Sequence, residues 1–287
     1  MDDHDKNHDA GHHRGLAADL SLFQRTTRRR TMLRWMAVAT LAPLVGCTTG
    51  ESSGDGSSDE DSGSGSGSGD GGTSAAGSCA VIPEETAGPY PGDGSNGANA
   101  LILSGIVRSD IRASIGAASG TAEGVPLTVK LTLVNASDGC NKLAGYAVYL
   151  WHCDREGRYS LYSEGVTDQN YLRGVLETDD AGTVTFSTIF PACYSGRWPH
   201  IHFEIYPSVS SIGAASNKLK TSQLALPVDA CNAVFATEGY SASVRNLSQV
   251  SLTSDMVFSD GSEHQLPTIT GNVTDGYTVN LTVGIAD

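Results

Sequence analysis

Four side chains able to hold a metal ion stand near one another in the second half of the chain. His200 and His202 are separated by one residue. On a strand, side chains alternate between faces, so both imidazoles point one way and Ile201 points the other. Tyr194 precedes His200 by six residues, and Tyr159 closes the upstream run Glu156-Gly157-Arg158-Tyr159. A phenol must lose its proton to ligate a metal. Two phenolates and two neutral imidazoles therefore make a hard, partly anionic donor set, which suits iron(III) better than zinc, calcium or copper(I). No Cys-x-x-Cys spacing is present, which argues against a zinc site.

These residues need strands to carry them. From residue 101 onward, short apolar alternations are separated by Gly, Asn and Asp turns. Residues 101–107, 127–134, 146–153, 183–189, 201–206, 255–258 and 277–283 read as strands. Asp180-Ala181-Gly182 reads as a hairpin turn, and residues 163–172 and 208–219 as loops. No stretch shows a 3.6-residue apolar period. The sequence thus predicts an all-β fold, one antiparallel β-sandwich domain over residues 79–287. Those about 209 residues suffice for one sizeable core.

The region before this domain has a different composition. Residues 1–27 are polar and His-rich, and Arg28-Arg29-Arg30-Thr31-Met32-Leu33-Arg34 then precedes an apolar run over 35–46. That run is too short to cross ~30 Å of hydrocarbon as a helix, so it reads as the apolar part of a signal. The paired arginines resemble a twin-arginine export signal, and Leu44-Val45-Gly46-Cys47 resembles a lipobox in which Cys47 takes a lipid. Residues 1–47 are accordingly read as a lipoprotein signal and 48–78, rich in Gly, Ser and Asp, as a flexible linker reaching roughly 30 Å. The expected location is outside a bacterial membrane, either anchored through Cys47 or secreted. Residues 47–287 retain 11 Lys/Arg against 27 Asp/Glu, a net charge of −16. An acidic surface argues against nucleic acid and anionic lipid as partners. Beyond Cys47 five cysteines remain, Cys79, Cys140, Cys153, Cys193 and Cys231, allowing at most two disulfides in pairings the sequence leaves open. Oligomeric state is likewise open, a homodimer included.

Read together, Tyr171-Leu172-Arg173-Gly174, Asp179, Gly182, Phe186, Thr188, Ile189, Pro191, Tyr194, Arg197 and His200-Ile201-His202 resemble the signature of the intradiol ring-cleavage dioxygenases. Upstream, Pro83, Glu84, Thr86, Gly88, Pro89, Tyr90 and then Trp151, His152, Cys153, Gly157 and Tyr159 are similar to the exported branch of that family. The resemblance implies a non-haem iron(III) enzyme that uses dioxygen to open a catechol between its hydroxyl carbons, giving a muconate-type diacid. It implies Tyr194 and His200 as axial ligands and Tyr159 and His202 as equatorial ones, with Tyr194 displaced when substrate arrives. Arg197 matches a family arginine facing the substrate ring, a role that its planar, permanently charged fork fits. Gly88, Pro89 and Tyr90 match the segment lining the substrate mouth. His152 is read as lying outside the ligand set, and Arg173 as bracing its loop. Two departures bear on substrate shape: Pro191-Ala192-Cys193-Tyr194 lacks an aromatic common beside the metal, and Pro91 stands where a second aromatic often follows Tyr90. The competing reading is a lipid-anchored, catalytically silent β-sandwich binding module, which the fold alone does not exclude.

Overall fold

In the computed structural model, residues 80–286 are described. The signal read at 1–47, the linker at 48–78 and Cys79 lie outside them. The clearest alternating segment, Pro126–Asn135 (β1), forms a strand whose Leu127, Val129, Leu131 and Leu133 are buried while Lys130 is exposed. It pairs with Asn141–Lys142 (β2), Thr183–Ile189 (β5) and Gly276–Ile285 (β9), and Thr268–Asn272 (β8) extends this sheet beyond β9. The second sheet runs Arg173–Glu177 (β4), Ala147–Trp151 (β3), His200–Tyr206 (β6), Lys220–Ala225 (β7). All its pairings are antiparallel. In the first sheet β1 and β9 run parallel, from Leu127↔Tyr277 to Asn135↔Ile285, so that sheet is mixed rather than antiparallel as expected.

The two sheets share one apolar core. Val129, Leu131, Phe186, Val279 and Val283 of the first join Val148, Leu150, Ile201, Phe203 and Leu224 of the second. Each such side chain contributes ~1.5–3 kcal/mol by leaving water. The other face of the second sheet is covered too: Ala147, Tyr149, Trp151, Val175 and Tyr206 pack with Leu101, Ile106 and Tyr159. Strand β6 is consequently buried along both faces, Ile201, Phe203 and Ile205 facing the shared core and His200 and His202 facing the loop side.

Several expectations give way here. Residues 101–107 are turns, and only Val107 bridges a strand, at Val175. Leu101 and Ile106 are apolar because this loop covers the second cluster, not because it alternates. Residues 255–258 turn instead of extending, since the Asp255 carboxylate accepts the amides of Val257 (2.8 Å) and Phe258 (3.2 Å) and leads into a 3₁₀ turn at Phe258–Asp260. The turn before β5 is present, with Gly182 N–H donating to Asp179 O at 2.8 Å, yet it closes no hairpin, because β4 pairs with β3 and β5 with β1. Among the described residues two helices also form, Val228–Phe235 (α1) and Ser241–Leu247 (α2), each about two turns and too short to show a period. Cys140 is disulfide-bonded, its partner lying outside the described residues. Cys153, Cys193 and Cys231 are buried free thiols, their ionisation opposed mainly by burial.

Candidate metal centre

The loop from β3 to β4 delivers Tyr159. Its sharp start is built around the buried carboxylate of Asp154, which accepts the amides of Glu156 and Arg158 (both 2.9 Å), the Arg158 side chain (3.0 Å) and the Tyr171 hydroxyl (3.0 Å). Gly157 takes φ +86° in this turn, a conformation that side chains other than glycine's disfavour. Ser163 Oγ then accepts Tyr159 N–H at 2.9 Å. Tyr194 comes from a different segment, the turn before β6. There Cys193 N–H donates to Ser243 Oγ (3.0 Å) and Asn246 Nδ2 donates to Cys193 O (2.8 Å), tying the turn to α2.

All four expected ligands converge. His200 Nε2 lies 3.1 Å from His202 Nε2, 3.4 Å from Tyr159 Oη and 3.3 Å from Tyr194 Oη, and Tyr159 Oη is 3.3 Å from His202 Nε2. Atoms bound at ~2.0–2.2 Å and at right angles about one ion stand about 3 Å apart, so these separations fit donors to a shared cation. The tautomers point the same way. His200 Nδ1 is 2.5 Å from Trp198 O, and a carbonyl can only accept, so the proton is on Nδ1 and a bare Nε2 lone pair faces the cluster. The His202 ring is fixed by stacking on Trp151, at 4.9 Å and 7°. Its Nδ1 is buried with no hydrogen-bond partner among the described residues.

Burial dominates the ionisation of these groups. It lowers His200 and His202 well below the ordinary histidine range, helped by the positive charge of Arg197 and, for His202, by His200. It raises the Tyr159 phenol well above its usual value, with Tyr194 adding to the effect. At neutral pH the imidazoles are thus neutral, as metal ligation requires, while a phenolate here needs a cation to offset its desolvation. Among the described residues no three His, Cys, Asp or Glu side chains gather at one point, so the negative charge at this centre has to come from the phenols.

Around the donors, Arg197 is 2% exposed and fully braced: Nε donates to Asp255 Oδ2 at 3.0 Å and Nη2 to Gln223 Oε1 at 2.6 Å. Gln223 sits opposite His202 in the β6–β7 ladder and donates from Nε2 to Thr86 O. At the mouth, the Gly88 backbone passes over His202, since a Cβ there would stand 3.6 Å from Cε1. The Tyr90 ring lies 5.1 Å from that of Tyr159. Pro89, between them, offers its carbonyl to Asn96 Nδ2 at 2.6 Å. His152 stays outside the cluster, its Nε2 bonded to Thr188 Oγ1 (2.7 Å) and Nδ1 to Cys153 O (2.8 Å).

Residues 108–229 match the Dioxygenase_C family model, described as a dioxygenase. An intradiol ring-cleavage dioxygenase from Tetranychus urticae superposes with a TM-score of 0.58 at 26% identity, covering 72% of this chain and 95% of that one. The domain is similar to the intradiol ring-cleavage dioxygenases in fold and over this matched segment. A second dioxygenase of known structure gives a TM-score of 0.57 at 25% identity, over 73% of this chain and 95% of its own. Tyr159, Tyr194, Arg197, His200 and His202 all fall inside the segment matching the dioxygenase family, whereas Gly88, Pro89 and Tyr90 precede it. Sequence reading missed Asp255 and Gln223, the two residues that aim Arg197. For Asp255 a signal existed: an Asp followed by a tightly turning segment is a side-chain-to-backbone cap as readily as a strand start.

Proposed function

We propose that the chain is a non-haem iron(III) dioxygenase that opens catechol-type rings between the two hydroxyl carbons. The observation that carries this reading is the meeting of two phenols and two imidazoles, with Tyr159 Oη 3.3–3.4 Å from both Nε2 atoms, Tyr194 Oη 3.3 Å from that of His200, and the two Nε2 atoms 3.1 Å apart. When bound there, iron(III) supplies a Lewis-acid template for a vicinal diol. Tyr194 is half-buried where Tyr159 is 2% exposed, so Tyr194 is the phenol that makes room for substrate, its Oη accepting a catechol hydroxyl proton as it withdraws. Arg197, held by Asp255 and Gln223, keeps a fixed positive charge beside the deprotonated diol. Gly88 and Tyr90 shape the entrance, and Trp151 holds His202 in plane.

Incubating iron-loaded protein with a panel of catechols, protocatechuate-type acids and hydroxyquinols under labelled dioxygen tests this. A muconate-type diacid carrying two labelled oxygens is the expected product. A ring-opened semialdehyde would overturn the intradiol course, and colourless, iron-free protein would return the chain to the binding-module reading. We also propose export through the twin-arginine signal and lipidation at Cys47, motivated by residues 28–47; changing Arg29 and Arg30 to Lys should leave precursor inside the cell, and Cys47→Ala should abolish fatty-acid labelling.

A further inference from the structure

Arg173, the first residue of β4, is 1% exposed and forms no ion pair among the described residues. A buried guanidinium without a carboxylate is costly unless its donors are satisfied. Here all five are. Nε donates to Ser160 Oγ (3.1 Å), Nη1 to Pro91 O (2.8 Å) and Tyr149 Oη (2.9 Å), and Nη2 to Tyr90 O (3.0 Å) and Ser160 O (2.9 Å). One fork thus joins the residue after Tyr159 to the two carbonyls of the mouth segment. Tyr149 stacks on Trp151 (4.8 Å, 19°), which stacks in turn on His202.

Two further observations mark this junction. Leu161 (φ +72°) and Leu172 (φ +55°) adopt left-handed backbone with bulky side chains, and they flank Ser160 and Arg173, the two ends of the brace. Such strain persists only where the surroundings over-determine it, and it gathers at sites that need fixed geometry. Gly92, at φ +65°, leaves no space for a side chain: a Cβ would stand 2.7 Å from Arg173 Nη1. The mouth loop is therefore closed onto the guanidinium itself.

We propose that Arg173 is a positioning residue of the site, which sets the Tyr159 phenol through Ser160 and the substrate mouth through Tyr90 and Pro91. The inference rests on the reading of the donors as an iron site, but the brace itself can be read without iron. In metal-free full-length protein, Arg173→Met should speed amide hydrogen exchange at least ~10-fold in both residues 88–99 and 157–163, leaving residues 126–135 unchanged. In iron-loaded protein the same variant should shift the phenolate charge-transfer band and raise KM more than it lowers kcat. Arg173→Lys keeps the charge but loses the planar fork, so it should fall between Met and wild type in both readouts. Gly92→Ala presses on the same fork with Arg173 present, and should give the same pattern, weaker, even if Arg173→Met fails to fold. Exchange changes confined to residues 173–177, an unshifted band, or Lys matching wild type throughout would each overturn the proposal. If wild-type protein takes up no iron, the proposed function fails while the exchange result still decides the brace.

Discussion

Tyr159 and Tyr194 both approach His200, and Tyr159 also His202, from segments that differ in exposure. The Tyr159 segment is clamped at both ends, by the Asp154 carboxylate before it and the Arg173 fork after it. The Tyr194 segment is fastened through Cys193 to α2 and then runs into exposed Ser195 and Gly196 before Arg197 is buried again. One half of the donor set is thus buried, and the other lies half-buried beside exposed residues. Under the proposed function, a site that binds a metal firmly and still opens positions for a diol would gain from that asymmetry, because each donor's surroundings are set by its own loop.

The largest break in this comparison comes from a residue common to both halves. His202→Ala removes an imidazole from the rigid strand β6, and iron retention should fall by more than ~100-fold, beyond the range seen when only an outer contact is lost. Metal analysis and the visible band would report it together. Stoichiometric iron in that variant would take His202 off the ligand list.

Next come the phenols themselves. If the Tyr159 half is the fixed one, Tyr159→Phe should weaken iron binding by ~100-fold and Tyr194→Phe by only ~10-fold, while the latter loses more turnover. Equal losses in iron binding and turnover for the two variants would erase the asymmetry.

How much of this could be read beforehand follows from the range of each signal. The His200-Ile201-His202 spacing fixes a shared face as soon as the segment is a strand, and Thr183–Ile189 and Pro126–Asn135 alternate cleanly because one face is buried. β4 and β7 escaped because their sequences, RGVLE and KTSQLA, carry polar groups that this fold buries with partners, as Arg173 and Gln223 show. Period-2 hydrophobicity does not see such residues. Asp255 lies 58 residues from Arg197 in sequence, and nothing local announces a pairing at that distance.

Acid should strain the rigid half in particular. His152 bridges the start of the Tyr159 loop to Thr188 on β5, and burial lowers its pKa to about 4. Below the unfolded value of ~6.5 the unfolded chain binds a proton that the folded chain refuses, so stability present above that pH is lost as pH falls toward about 4. His200 and His202 are shifted in the same direction. For His152 alone the loss is ~3 kcal/mol by pH 4. Urea unfolding of metal-free protein between pH 7 and 4 would measure it, and a flat profile would contradict the burial argument.

The smallest effect is expected where the two halves touch. Gly157 belongs to the Asp154 turn, and a Cβ placed on it would stand 3.2 Å from Tyr194 Cβ, close enough that Tyr194 must give by a few tenths of an ångström. Gly157→Ala also forces a non-glycine residue to φ +86°, which costs ~1–2 kcal/mol in stability. Because Tyr159 is buried and Tyr194 only half-buried beside exposed Ser195 and Gly196, the displacement should fall on Tyr194. Iron stoichiometry should therefore hold, the charge-transfer band should move slightly, and substrate should bind a little more readily, since the phenol that must withdraw has been pushed outward. Loss of iron from this variant would show instead that the clamped loop gave way, and that the fixed and yielding halves had been assigned the wrong way round.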